Sequence, residues 1–208
     1  MSSSRIFDEK AEKYDSWYER NRLIYLSELE AVRMLGCEKA VEIGVGTGRF
    51  ARGTGVIAGI DPSIAMLKLA PSSIHRVQGV GEHLPFRSRA FACSMLIVTL
   101  CFVDDPLRVL EEASRISEKL IVCMVPRESP WGKLYSRLGR EGHPFYSHAR
   151  FYSVGEAIEL ASKAGFKPRR IISTLSYPPG EKRFEKPREV SLEEAESCGF
   201  TCIEFVKE

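Results

Sequence analysis

The sequence predicts an α/β protein with a Rossmann-like, seven-stranded mixed sheet, mostly parallel with the last strand antiparallel, sandwiched by helices. Three observations predict it. Short apolar runs alternate with amphipathic stretches, as parallel strands and their crossover helices require. The first run, residues 40–43, enters a glycine turn, Gly44-Val45-Gly46-Thr47-Gly48. The second, residues 56–60, ends on Asp61-Pro62-Ser63, an acidic residue followed by a helix start. A chain of 208 residues, 44% hydrophobic and 28% charged, is expected to form one globular domain over 1–208.

The elements follow in order. Between Ile6 and Leu35, apolar residues recur at helical spacing (Ile24, Leu26, Leu29, Val32, Leu35) and Gly36 stands where a helix stops, so residues 1–36 are expected to form an N-terminal helical cap. Pro62 suits the first position of a helix running to Ala70, because its missing N–H is not needed there. Residues 74–78, 91–98 and 120–125 read as the third to fifth strands, with an amphipathic helix over 106–117 (Leu107, Leu110, Ala113, Ile116). Residues 126–152 carry Pro126, Pro130, Gly132, Gly139, Gly142 and Pro144 without strand patterning. They read as an irregular, variable substrate lobe with a helix near 133–138. A helix capped by Ser153 runs to Ala164 and stops at Gly165; strands over 167–174 and 200–206 follow, separated by a polar loop over 178–191.

Composition excludes several classes. Six cysteines are scattered without a Cys-x-x-Cys pair, and Cys93 and Cys123 fall in apolar runs, so buried thiols are expected rather than disulfides. The four histidines do not cluster with them, so no metal is expected. The longest apolar stretch, residues 91–103, is interrupted by Ser94 and Thr99 and followed by Asp104-Asp105, which suits a buried strand; no signal-peptide core follows Met1. The expected location is the cytoplasm, with no membrane contact. A net charge of +2, mixed along the chain, gives no reason to expect nucleic acid. Arg127, Lys133, Arg137, Arg140 and Arg150 interleave with aromatic residues between Trp131 and Tyr152, a mixture that suits either an anionic or aromatic ligand or, the preferred reading, an amphipathic lid with a solvated basic face.

Glycines at 44, 46 and 48 let the backbone approach a ligand. A dinucleotide fingerprint would need glycine at position 49, which is Arg49. Glu42, at the end of the first strand, would repel a pyrophosphate and welcome an amino group. Asp61, at the end of the second strand, can accept hydrogen bonds from both ribose hydroxyls of a nucleoside. A nucleoside without phosphates and with a cationic tail describes S-adenosylmethionine.

Further motifs carry a family resemblance: Phe7-Asp8-x-x-Ala11-x-x-Tyr14-Asp15-x-Trp17, then residues 42–48, then Asp61-Pro62-Ser63 with Met66, Gly81-Glu82-x-Leu84-Pro85-Phe86, and residues 100–106. In this order they resemble class I S-adenosylmethionine-dependent methyltransferases of the type 11 group, which includes ubiquinone and menaquinone biosynthesis enzymes. The resemblance spans nearly the whole chain. It implies that Gly44, Val45 and Gly46 face the methionine and ribose, Asp61 the ribose hydroxyls, Pro62 and Met66 one face of adenine, and Gly81 and Glu82 its edge. It also implies that Tyr14 approaches the methionine tail, where a ring near a sulfonium gains about 0.5–2 kcal/mol, and that Thr99 lies near the amino-acid end. Two departures stand out. The segment from Gly48 to the second strand is short, so the helix after the turn is abbreviated and one side of the cofactor pocket opens; and the fourth strand begins Phe91-Ala92 where the group often has Phe-Asp.

Methyl transfer from a sulfonium is an in-line displacement that requires alignment and exclusion of water, and no obligatory catalytic residue follows. Candidate bases near the mouth are His143, His148, Tyr135 and Tyr146, and Cys101 reads as a small buried hydrophobe or a nucleophile. The expected reaction is methylation of a small-molecule acceptor, with S-adenosylhomocysteine as product. Alternatives are a non-catalytic nucleoside-binding module and an RNA or protein methyltransferase.

Overall fold

The structure, a computed structural model, describes residues 3–207, with side chains from Arg5 onward. Residues 1, 2 and 208 of the expected domain lie outside the described residues. Three helices open the chain: α1 (Ser3–Glu9), α2 (Ala11–Arg20) and α3 (Arg22–Met34). Then come β1 (Ala40–Ile43), β2 (Val56–Asp61), α4 (Ile64–Leu69), β3 (His75–Gln78), β4 (Cys93–Ile97), α5 (Pro106–Ile116), β5 (Lys119–Met124), α6 (Pro130–Arg140), a 3-10 turn (Tyr146–His148), α7 (Val154–Lys163), β6 (Phe166–Thr174), β7 (Arg188–Glu189), α8 (Leu192–Ala195) and β8 (Phe200–Lys207). The sheet order is β3-β2-β1-β4-β5-β8-β6-β7. The first five strands are parallel; β8 lies antiparallel between β5 and β6.

The sheet therefore has eight strands, one more than expected. The addition, β7, is a two-residue edge strand held by Ile172 opposite Glu189 and Ser173 opposite Arg188. It comes from the polar loop, where no alternation of apolar residues marks it, because an exposed edge pairs through backbone alone.

Alternation in the central strands divides the core in two. Met95, Ile97, Ile121 and Cys123 face a cluster with Leu29 and Val32 of α3, whereas Leu96, Leu120 and Val122 face one with Leu110, Ala113 and Ile116 of α5 and Ala157 and Ala161 of α7. Helices start where short polar side chains accept orphan N–H groups. Asp105 caps α5, Ser129 caps α6, and Ser153 with Glu156 forms a capping box on α7. Ser63 caps α4 by accepting the Met66 N–H, so Pro62 precedes the cap instead of opening the helix.

Two expectations change. No helix follows the glycine turn among the described residues, yet the space is closed and not open. Phe50 is buried there with its ring edge-on to Tyr18 and Tyr25 (centroids 5.9 and 5.7 Å apart), and the Tyr25 hydroxyl donates to the Arg49 carbonyl at 2.7 Å. The N-terminal helices thus pack where the abbreviated helix would lie. Four of the cysteines are also paired, Cys37 with Cys93 and Cys123 with Cys202, while Cys101 and Cys198 are free. Strand register explains this: Cys123 and Cys202 are directly opposite on β5 and β8, and β1 lies beside β4, which brings Cys37 against Cys93. Sequence spacing carries no such information. Among the described residues no helix is long and apolar enough to cross a membrane.

Candidate active site

The glycine turn is strapped to β2, because the N–H groups of Gly44 and Val45 both donate to the Ile60 carbonyl, at 2.8 and 3.0 Å. Gly44 has φ +74°, and a Cβ there would stand 2.4 Å from Thr99 Cγ2, so only glycine fits between the turn and β4's end. Gly46 (φ +53°) differs: a Cβ there would meet nothing within 4 Å. Its backbone faces open space that a ligand can enter. Arg49, next in line, forks onto the Asp15 carboxylate and reaches Glu19 at 2.6 Å, tying α2 to the turn.

Two carboxyls lie beneath. Asp61 is 8% exposed and accepts the N–H groups of Gly46 (2.8 Å) and Ser63 (2.9 Å); burial raises its pKa while these bonds pull it down. Each of its oxygens keeps lone-pair capacity for one more donor. Glu42 is 2% exposed, its Oε2 has no hydrogen-bond partner, and burial, then Asp61, push its pKa well above the usual carboxylate range. Such an orphaned buried acceptor fits a ligand bearing N–H or cationic groups. Above them Asp8 of α1 accepts the Ser63 hydroxyl (2.6 Å) and the Ala65 N–H (3.1 Å), which docks α1 on the start of α4.

Beside the turn lies a cavity of ≈ 80 Å³, lined by Gly44, Pro62, Gly81, Glu82, Thr99 and Phe102 among others. Glu82 Oε1 accepts the N–H groups of Asp104 and Asp105, at 3.2 and 3.3 Å. Phe102 also lines a second cavity of ≈ 310 Å³, walled by aromatic rings from α2 and from the segment 135–151. In that wall His143 stacks on Tyr146 (4.3 Å) and Tyr146 on Tyr135 (4.4 Å). Val98 lines it with φ +52°, a left-handed conformation that costs a β-branched residue about 1–3 kcal/mol; such strain concentrates at ligand sites.

The comparisons with known proteins bear on this geometry. Residues 41–120 match the model of a family described as a methyltransferase domain. An uncharacterized protein of Methanocaldococcus jannaschii is 35% identical, over 97% of this chain and 98% of its own. One of Mycobacterium tuberculosis is 37% identical, over 89% and 68%. A crystal structure from Thermotoga maritima, of a SAM-dependent methyltransferase and possible histamine N-methyltransferase, superposes with a TM-score of 0.91 at 36% identity, covering 99% of this chain and 100% of that one.

The chain belongs to the class I S-adenosylmethionine-dependent methyltransferases of the type 11 group.

Its cofactor is S-adenosylmethionine and its cofactor product S-adenosylhomocysteine. The geranyl diphosphate C-methyltransferase of Streptomyces coelicolor, solved with S-adenosylhomocysteine, shares the fold alone, with a TM-score of 0.59 at 13% identity over 83% of this chain and 72% of that one.

In this methyltransferase the residues singled out in the sequence divide into three groups. Gly44, Pro62, Gly81, Glu82 and Thr99 line the small cavity, and Glu42, Gly46 and Asp61 surround the turn at its edge. Val45 and Met66 are buried, Val45 against Gly59 and Met66 at 2% exposure in the core, so their side chains do not face the cavity. Tyr14 lines the aromatic cavity and not the small one, its hydroxyl 3.1 Å from that of Tyr18, because α2 passes over the larger space. Of the candidate bases, Tyr135, His143 and Tyr146 line the aromatic cavity, while His148 is exposed at the end of the 3-10 turn and does not. Burial, then Lys13, lowers the His143 pKa, and burial raises those of both tyrosines. Cys101 lines the same cavity; burial pushes its thiol up to about 12, which leaves it protonated and poorly nucleophilic. Residues missed in the sequence are Glu28, Val98, Phe102 and Asp8. Asp8 and Phe102 had a local signal, standing in the Phe7-Asp8 motif and in residues 100–106.

Proposed function

We propose that this methyltransferase acts on a small organic molecule seated in the aromatic cavity, with the cofactor beside the glycine turn. The observation that carries the reading is that the two cavities share one wall, Phe102. A donor in one and an acceptor in the other then lie next to each other at that shared boundary. A volume of ≈ 310 Å³ suits a molecule of one or two rings and is too confined for a folded nucleic acid.

In this reading Asp61 receives the ribose hydroxyls, and Glu42 with the backbone of Gly44, Val45 and Gly46 receives the methionine end. Pro62 covers adenine with Gly81 and Glu82 along its edge, and Met66 supports it from below. Thr99 holds Gly44 in place, and Tyr14 stands on the acceptor side. When bound, S-adenosylmethionine supplies an electrophilic methyl carried on a sulfonium. The chain's own contribution is alignment and dryness: the aromatic wall fixes the acceptor's orientation, and Asp8 and Phe7 of α1 hold a cover against α4 and Phe102. No protein group needs to bond covalently to the substrate.

Isothermal titration with S-adenosylhomocysteine tests the cofactor half. Wild type is expected to bind at micromolar Kd or better, and Asp61→Ala to lose at least about 100-fold, since two hydrogen bonds to a carboxylate contribute about 1.5–3 kcal/mol each. Equal affinity in well-folded Asp61→Ala would refute the assignment. For the acceptor half, Tyr146→Ala is expected to abolish transfer of labelled methyl to small aromatic acceptors while S-adenosylhomocysteine still binds.

A further inference from the structure

Glu28 sits on α3 and lines the aromatic cavity, although the residue is only 8% exposed. Among the described residues its carboxyl has neither a hydrogen-bond nor an ion-pair partner. Its pKa is raised to about 8, and burial is the cause, with no donor or cation to offset it. Natural cores rarely retain such a group without a ligand for it. The other ionisable groups around it do not supply a partner. His143 is shifted towards its neutral form, while the Tyr14 and Tyr18 hydroxyls bond to each other, as do those of Tyr135 and Tyr146, and burial keeps all four protonated. Lys13 and Arg20 also line the cavity but are exposed, where solvent and salt screen them. Glu28, itself protonated at neutral pH while unpartnered, is therefore the group lining this cavity that a bound cation brings to its ionised form most readily.

The surroundings are as informative as the charge. Tyr14, Trp17, Tyr18, Tyr135, Tyr146 and Phe151 line the same space. Aromatic faces attract organic cations through the ring quadrupole, more strongly where water is displaced, and offer nothing comparable to an anion. A carboxyl at one point of an aromatic enclosure is the arrangement that recognises an ammonium on an apolar body.

Resting on the proposed acceptor cavity, we infer that the molecule it takes is an organic amine, bound as its ammonium with Glu28 as the counter-ion and the aromatic rings around the carbon skeleton. The neutral amine takes the carboxyl proton as it enters, or the ammonium enters and the carboxyl releases its proton to solvent; either way the Glu28 oxygens then accept the ammonium N–H groups. Neutral molecules of the same shape keep the ring contacts, and an alcohol can donate one hydrogen bond, but they bring no charge to pair with Glu28.

The test uses two size-matched sets: phenethylamine, 2-phenylethanol and phenylacetate; tryptamine, tryptophol and indole-3-acetate. Each is titrated by calorimetry into wild type and Glu28→Gln, both saturated with S-adenosylhomocysteine. The expected result is that at least one amine binds ten-fold or more tighter than its alcohol and its acid, and that Glu28→Gln brings the amine to the level of the alcohol. An alcohol or acid that binds as well as its amine, or an amine preference that survives in Glu28→Gln, overturns the amine inference while the acceptor cavity stands. If none of the six binds the wild type although S-adenosylhomocysteine does, the cavity reading falls and the amine inference with it. Glu28→Asp separates recognition from folding: it is expected to restore part of the amine preference that Glu28→Gln loses.

Discussion

Replacing Glu28 by glutamine keeps the volume of the side chain and removes its titration, and the stability of the ligand-free protein is then expected to depend less on pH. The carboxyl titrates near its ordinary 4.5 in the unfolded chain and near about 8 in the fold. Below pH 4.5 both states hold the proton and stability is unaffected. As pH rises from there the unfolded chain ionises first, so folding stability falls by about 1.4 kcal/mol per pH unit until the folded carboxyl also ionises near 8, after which the loss is complete. Between pH 5.5 and pH 8 this amounts to about 3 kcal/mol. The assay is urea unfolding of both proteins at pH 5.5, 7 and 8 with linear extrapolation, taking the difference between them so that other titrating groups cancel. Glu28→Gln is expected to gain on wild type by about 3 kcal/mol across that range with an unchanged m-value. A difference that stays constant with pH, within about 0.5 kcal/mol, would show that Glu28 is not an unpartnered buried carboxyl, and the physical basis of amine recognition would go with it.

The two turn glycines are expected to separate folding from binding. Gly44→Ala sets a Cβ against Thr99 in a left-handed conformation and should cost more than about 2 kcal/mol in thermal or urea unfolding, whereas Gly46→Ala should cost only the conformational part, about 1–2 kcal/mol. Gly46→Ala should nevertheless weaken S-adenosylhomocysteine at least ten-fold, because its methyl enters the open space; wild-type affinity there would remove Gly46 from the cofactor site. For the cysteines, protein denatured without reductant is expected to show two reactive thiols, Cys101 and Cys198, and six after reduction. Closing loops across 56 and 79 residues is worth roughly 4 kcal/mol each in the chain-entropy account, so reduced protein should unfold at lower urea; six thiols before reduction would discard both pairs.

The legible part of the site is the part made of short-range chemistry. Strand, glycine turn and acidic residue follow one another within about twenty residues, and Gly44, Gly46 and Asp61 meet because β1 and β2 are parallel neighbours in the sheet. Boundaries blur by a residue or two: Ser63 caps α4 so that Pro62 lies before the cap, and β7 is an edge pairing without side-chain alternation. The abbreviated segment after Gly48 is readable as a deletion, but its consequence is not. Phe50 is covered by Tyr18 and Tyr25 from helices that arrive from the N-terminus.

Glu28 is the sharpest case of what stays hidden. In α3 it stands beside Ser27 and Leu29 as one more polar residue of an amphipathic helix, and nothing local distinguishes it from Glu30, which is half exposed and pairs with Arg33. Its meaning depends on Tyr135 and Tyr146, distant in the chain and brought to the same cavity by α6 and the 3-10 turn. By itself the sequence determined the alternating fold and pointed to the proposed nucleoside end of the site, because glycine conformation and carboxylate chemistry act within a few residues of the motif that displays them. Only the tertiary structure brought together the cavity proposed for the acceptor, the two cysteine pairs and the placing of Tyr14, because burial, charge pairing and cavity shape are properties of surfaces that segments far apart in the chain form together.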